Sequence, residues 1–464
     1  MSLGVERETV VNWTHPKRPV RPVLRWTVKG TQAILDQGFF SGAHFLLNIL
    51  LARWLETAEY GAFALAYSVF LLLAAFHTAG FVEPMLVFGP GRYKGAFKRY
   101  FRLLLNGHAA VSLLIGLALA CVAALTAFWS SSLVAHSLYA LAFTGPALLL
   151  LWMVRRAFYV DLRPGWAAAG GGLYLVLLLC LVYGLRSRGW LSAWSALVAM
   201  GVAALIVGLA LALRLKRHSR QSLGVLKAVD VLGDHWNYGR WSMAAAGVAW
   251  IPANIFFVVL PAWGGLKSVA ALRALANLVI PASNVLLALA TLLLPFLVRR
   301  RDSGGKQLMT QAVRVALGLF LLGAAAYFAG LWFFRAEVFH VLYGGRYERY
   351  GSLPLLLLAL FPFTICLTSV LGVGLMALER PEKNFWSFGI GAVVAITIGV
   401  PMSAAMGVTG AALGMVLANL SAAAGMYVFY RRSGWQKHEA SPELGSLTGP
   451  TVEGRTGAAA ILGE

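Results

Sequence analysis

Between residues 34 and 431 the chain alternates long apolar stretches with short hydrophilic joints, and no other pattern in it is as strong. A helix with 1.5 Å rise per residue needs roughly 20 apolar residues to cross a hydrocarbon core. Backbone groups in lipid must satisfy their own hydrogen bonds, so helices are the expected form. The pattern predicts about twelve spans, at 34–54, 60–86, 103–128, 133–154, 166–185, 190–213, 238–262, 268–298, 311–334, 352–378, 384–404 and 407–430. The fold class that follows is an all-α polytopic membrane protein.

Composition agrees. A hydrophobic fraction of 59%, 12% charged residues and a mean hydropathy of +0.73 would leave a water-soluble globule with far too much exposed apolar surface. The net charge of +21 invites a nucleic-acid reading, which the distribution of that charge removes. With both ends threaded on one side, all but eight of the 39 Lys and Arg fall on that side, including Arg18, Arg21, Arg25, Arg155, Arg156, Arg299 to Arg301, Arg431 and Arg432. The positive-inside rule then places both termini in the cytoplasm of a bacterial plasma (inner) membrane, with membrane lipids and no nucleic acid as partners. About thirty polar and basic residues precede the first span, so no cleavable signal is expected. Cys121, Cys180 and Cys366 fall in different spans and predict neither a disulfide framework nor a metal cluster.

The chain divides into a basic N-terminal tail (1–33), a six-helix lobe (34–213), an amphipathic cytoplasmic linker (214–237), a second six-helix lobe (238–431) and a tail (432–464) whose Gly, Ser, Thr and Ala content predicts disorder. Two echoes support duplication. Laying Asn48 on Asn254 aligns "NILLARWLETAEYGAFALAYS" with "NIFFVVLPAWGGLKSVAALRA", and Arg163-Pro164 answers Arg380-Pro381 before the fifth helix of each half.

Several stretches resemble one family. "LDQGFFSGAHFLLNILLARWLETAEYGAFALAYSVF", "KSVAALRALANLVIPASNVLLALATLLLPFL", "VFHVLYGGRYERYGSLPLLLLALFPF", "LGVGLMALERPEKN" and "GVTGAALGMVLANL" are similar, in order, to polysaccharide and O-antigen export proteins of the multidrug/oligosaccharidyl-lipid/polysaccharide (MOP) superfamily. The resemblance spans about residues 33 to 432. It implies a MATE-like, V-shaped pair of lobes around a central cavity. Such a transporter would open alternately to each side and flip an undecaprenyl-diphosphate-linked oligosaccharide to the outer leaflet, with a polysaccharide polymerase as a candidate partner.

Stripping a sugar of water costs roughly 2 to 7 kcal/mol for each unpaired hydroxyl, so a flippase needs a polar trough. Gln37, Ser41, His44 and Asn48 lie within roughly 40° of one another on the first span. Arg273, Asn277 and Asn284 form a second stripe on the eighth span, and the repeat shift lays Arg273 and Asn284 on Tyr67 and Thr78. These nine residues are the expected substrate path. The competing reading makes them adhesive between helices, through hydrogen bonds worth about 1 kcal/mol. Arg273, near the outer end of its span, either meets an anionic headgroup or snorkels, and Arg53 reads as an interfacial anchor. For ion coupling the candidates are Asp36, His44 and Glu83, of which Asp36 and Glu83 sit near the cytoplasmic mouth, where both read equally as solvated groups.

Enzyme signatures are missing. "SGGKQ" at 303–307 lacks the upstream glycine and the hydroxyl of a phosphate loop, and neither HExxH nor GxSxG occurs. No cofactor or metal is expected. Two rivals remain open at this point: a glycan polymerase or glycosyltransferase, whose only outer-loop candidates here are His340, Arg346 and Arg349, and a drug/cation antiporter, which would carry acids deep in its cavity.

Overall fold

A computed structural model describes residues 21–129, 132–218 and 226–434. Residues 1–20 of the expected N-terminal tail (1–33), residues 435–464 of the expected C-terminal tail (432–464) and the middle of the linker lie outside those residues. The helices are α1 (Arg21–Trp54), α2 (Thr57–His77), α3 (Glu83–Phe88), α4 (Phe97–Trp129), α5 (Ser132–Val160), α6 (Pro164–Ser187), α7 (Ala193–His218), α8 (Ala228–Val259), α9 (Pro261–Phe333), α10 (Arg335–Tyr343), α11 (Leu353–Ala359), α12 (Phe361–Ala377), α13 (Glu382–Val394) and α14 (Val400–Arg432). Eleven segments are long and apolar enough to cross a membrane, and the last, Glu382–Arg432, holds two passages broken at Gly407. The protein is therefore an all-α, multi-pass membrane protein whose described chain begins and ends at the same end of the bundle, here called the terminal end.

Local chemistry sets the joints. In α9 the chain reverses at Gly304 and Gly305, the latter at φ 65°, a left-handed conformation that costs glycine nothing. The two Arg-Pro echoes are the same turn. Leu162 (φ 55°) and Glu379 (φ 62°) are the two non-glycine residues at positive φ among those described. Arg163 and Arg380 each donate a backbone N–H five residues back, to Phe158 (2.9 Å) and Leu375 (2.9 Å). Leu162 and Glu379 donate three residues back, to Tyr159 (3.0 Å) and Met376 (3.0 Å). Each is a helix-ending Schellman motif, followed by a proline in a position where its missing N–H costs no helical bond.

One span bends for a reason legible in the sequence. Pro84 has no N–H to offer the Gly80 carbonyl, and the chain answers with a π-helical turn at Thr78–Val82 between α2 and α3. The freed carbonyl accepts from His235 Nδ1 of α8 at 2.9 Å. This fixes the tautomer, so His235 Nε2 accepts from the Tyr100 hydroxyl at 2.7 Å.

The linker departs from expectation. Rather than forming a separate surface helix, residues from Ala228 onward are the opening turns of α8, which runs unbroken to Val259. Its Asp234 receives Arg92 at 2.6 Å and the Tyr93 hydroxyl, tying the α3–α4 joint to the second half of the chain. Burial and the bond to Asp234 push the Tyr93 phenol up to about 12, so it stays a donor.

Two lobes result. In the first, α5 packs on α2, α4, α6 and α7, and α1 lies along α6. In the second, α9 packs on α12, and α14 on α11, α12 and α13. Across the lobes α2 meets α8 and α9, while α1 meets α9 and α10.

Candidate functional site

At the end opposite the termini the lobes are closed on one another. Gly61 of α2 sits against the Leu266 carbonyl of α9, and any Cβ there would overlap that oxygen. Arg346 donates to the Leu55 carbonyl. Arg53 donates to the Val341 carbonyl at 2.9 Å, so it latches the lobes in addition to lying at the interface. Within the second lobe, Tyr343 donates to the Ala274 carbonyl at 2.8 Å and seats α10 on α9. Among the expected outer-loop candidates for catalysis, Arg346 is thus spent on closure, Arg349 bonds the Tyr350 hydroxyl at 2.9 Å, and His340 is exposed.

Below this closure lies a buried polar network shared by both lobes. Arg273, 4% exposed, does not snorkel: it turns inward, its Nη2 donating to Ser68 Oγ at 2.9 Å. Its guanidinium lies 4.3 Å from the Phe257 ring centre and 5.1 Å from that of Tyr67, and its Nε has no partner. Asn277 donates to the Tyr60 hydroxyl at 2.9 Å, which reaches Asn48 Oδ1 at 3.5 Å, and Asn48 returns a bond to the His44 carbonyl at 2.8 Å. Among the described residues no carboxylate pairs with Arg273. Asn48, Tyr67, Arg273 and Asn277 are therefore brought together. Tyr60 and Ser68, which complete the network, were not among the expected residues; Tyr60 stands in the resembling "EYG", while Ser68 carried no signal.

The first-span stripe splits. Its arc straddles the edge between the packed and open faces of α1. His44 and Asn48 are buried, whereas Gln37 is exposed and Ser41 partly so, bonded to each other at 3.0 Å. Gln37 also accepts from Arg156 at 3.2 Å. His44 is boxed by Phe40, Tyr67 and Tyr174 with ring centres 4.8 to 5.8 Å away, and neither ring nitrogen has a partner. Asp36 is not solvated. It is fully buried, takes Arg155 at 2.5 and 2.9 Å and the Tyr159 hydroxyl at 2.8 Å, and this pair joins α1 to α5 within one lobe. Thr78 lies in the π-helical turn, Glu83 is half-buried beyond it, and Asn284 is exposed on α9, none of them reaching the network. Among the described residues, no side chain from 34 to 44 of α1 bonds to the second lobe, so α1 is unlatched from α9 toward the terminal end.

An apolar groove starts at the network. A cavity of about 410 Å³ touches Phe45, Asn277, Pro281 and Tyr327. It shares Pro281 and Tyr327 with a second of about 490 Å³ between the two arms of α9. That cavity shares Leu319 and Phe320 with a third of about 430 Å³ ending at Arg300. The chain of cavities runs from Asn277 to a surface cation, Arg300, at the terminal end, walled almost wholly by carbon. No group of His, Cys, Asp and Glu among the described residues is arranged to hold a metal ion.

No family model and no curated protein matches the chain. Solved structures do. The inward-facing conformation of a multidrug resistance MATE family transporter of the MOP superfamily is similar at TM-score 0.69, 16% identity, over 86% of this chain and 97% of that one. The lipid II flippase MurJ in an inward closed conformation is similar at TM-score 0.70, 12% identity, over 88% and 87%. A MOP superfamily transporter from Pyrococcus furiosus, whose reverse binding-pocket polarity was taken to suggest a different function, is similar at TM-score 0.60, 15% identity, over 88% and 94%. The chain thus has the fold shared by MATE transporters and the MurJ flippase, that of the MOP superfamily of membrane transporters.

Proposed function

We propose that this protein moves a polyprenyl-diphosphate-linked oligosaccharide between leaflets of a bacterial inner membrane, supplying O-antigen or exopolysaccharide assembly. The carrying observation is Arg273: a cation held between the lobes with no carboxylate partner among the described residues, one helical turn from Asn277, where a long apolar groove begins. An anionic diphosphate suits the cation, and a polyprenyl tail suits the groove. The basic terminal end would face the cytoplasm, where the cargo is made. Loading would occur through the unlatched stretch between α1 and α9, and release when the closure at Gly61 and Arg346 opens. A polymerase at the outer face is the fitting recipient.

The competing antiporter of cationic drugs fits less well. Asp36, the carboxylate buried in the first span, is already neutralised by Arg155 and Tyr159. The deciding experiment depletes the protein and follows undecaprenyl-linked oligosaccharide with a membrane-impermeant glycan label on spheroplasts and inverted vesicles. Build-up on the cytoplasmic face, relieved by wild type and not by Arg273→Ala, is the expected result. Unchanged leaflet distribution refutes the reading; changed drug sensitivity in its place points to the antiporter, and normal flipping with unextended glycan to a polymerase.

A further inference from the structure

The bend in the second span carries a pair of histidines that the network around Arg273 does not use. His77, the last residue of α2, is 4% exposed, and His108 of α4 is 6% exposed. Their rings meet edge to face with His77 Nε2 3.0 Å from His108 Nδ1.

Partners fix the tautomers. The His108 ring also bonds the backbone of Pro146 in α5, and because proline has no N–H that partner is its carbonyl. A carbonyl only accepts, so a His108 that donates to it from Nε2 leaves its Nδ1 to accept from His77 Nε2–H, with the Ser112 hydroxyl 3.4 Å from either His108 nitrogen. His77 is then protonated on Nε2 and bare on Nδ1. That Nδ1 is buried and has no partner. The structure thus holds one vacant, buried ring nitrogen, one residue before the π-helical turn at Thr78–Val82.

From this geometry we infer that His77 and His108 form a proton-binding site, with His77 Nδ1 as the accepting atom, whose occupancy biases the bend of the second span. The inference rests on the transporter reading of the fold, because the motion it biases is taken to be the transport cycle. A proton on Nδ1 would turn a dry, neutral pair into a buried cation. No carboxylate stands against it among the described residues: α4 offers His108 and Ser112, α5 the Pro146 carbonyl, and α8 presents His235, already bonded to Gly80 and Tyr100. Asp234 on α8 is occupied by Arg92 and Tyr93, and Glu83 lies beyond the turn on α3. Protonation therefore favours whatever arrangement admits water to His77, and that arrangement must loosen the α2 bend from α4 and α8. Acid shifts the population away from the conformation described here; by linkage, that shift in turn raises proton affinity.

The test needs no cargo. The full-length chain in lipid nanodiscs, with nitrogen-15 histidine, is titrated from pH 8 to pH 5 while amide exchange is followed over residues 78–88. One histidine should show a bare Nδ1 that gains a proton on acidification. Exchange over the bend should rise about tenfold or more, and both responses should vanish in His77→Asn and in His108→Asn but persist in His136→Asn, an exposed control on α5. A wild type whose buried rings do not titrate and whose bend is indifferent to pH overturns the inference, even if a variant folds poorly. Retention of the full acid response in His77→Asn also overturns it. Because no glycan lipid is present, loss of the oligosaccharide reading leaves these outcomes unaffected.

Discussion

Arg273 and Ser68 lie 205 residues apart in the chain and 2.9 Å apart in space, the guanidinium of one lobe donating to the hydroxyl of the other. The guanidinium also stacks on Phe257, and its planar fork serves both contacts. Arg273→Lys keeps the charge and loses the stacking geometry; Arg273→Ala loses both. If the cation binds cargo, leaflet transfer should fall about tenfold or more in Arg273→Ala, with Arg273→Lys between that and wild type. Ser68→Ala should lower transfer by no more than about fivefold, because it removes one hydrogen bond worth roughly 1 kcal/mol. Equal losses in Arg273→Ala and Ser68→Ala would mean that the arginine acts as a latch and not as a cargo site.

Gly61 allows α2 and α9 to touch backbone to backbone at Leu266. Gly61→Val places two methyl groups where the carbonyl stands, so the closure beside Arg346 should not form. A cysteine placed at Tyr60 in a Gly61→Val chain should become accessible to a membrane-impermeant maleimide added from outside. The same cysteine with Gly61 intact should be several-fold slower to label, and equal labelling would contradict the close approach.

Asp36 and Arg155 are 0% and 1% exposed, so neither charge is screened by water. Removing one partner strands the other, which costs about 3 to 5 kcal/mol. Arg155→Ala and Asp36→Ala should each lower the thermal midpoint of the detergent-solubilised protein markedly. The double change Asp36→Leu with Arg155→Met should recover most of the loss. A double variant as unstable as the singles would show that the pair is needed for more than charge balance.

Leu162 holds a left-handed conformation that costs an L-residue about 1 to 2 kcal/mol. Leu162→Gly should stabilise the chain by about 0.5 to 1 kcal/mol, measured by denaturant unfolding. Glu379→Gly should gain less, because Glu379 also accepts from Arg301 at 2.7 Å. A loss of stability in Leu162→Gly would mean that its side chain, 51% exposed here, makes packing contacts in the membrane.

The spans, their number, and the turns at Arg163-Pro164 and Arg380-Pro381 were legible because each depends on local rules. A run of apolar residues must form a helix in lipid wherever it goes, and a proline ends or bends a helix by removing a donor from its own segment. Even the bend at Thr78–Val82 has its cause, Pro84, printed six residues or fewer away. The end of the linker differs for a related reason: an amphipathic pattern identifies a helix but does not say whether that helix stops before the next span, and here α8 already begins at Ala228.

Partnership was not legible. Periodicity put Gln37, Ser41, His44 and Asn48 on one arc of α1, yet that arc straddles a packing boundary set by α5, α6 and α9, so two of them are buried and two are not. Asp36 read as a solvated residue at a helix mouth until Arg155, 119 residues away, was folded onto it. His77 and His108 are isolated histidines in separate spans, with no spacing to link them. The chain by itself determined which segments enter the membrane, since the cost of exposing a backbone or a charge to hydrocarbon is paid residue by residue. Which polar groups face one another was decided by tertiary structure alone, because a hydrogen bond between helices depends on where two backbones pass, and one sequence of apolar spans is compatible with many such crossings.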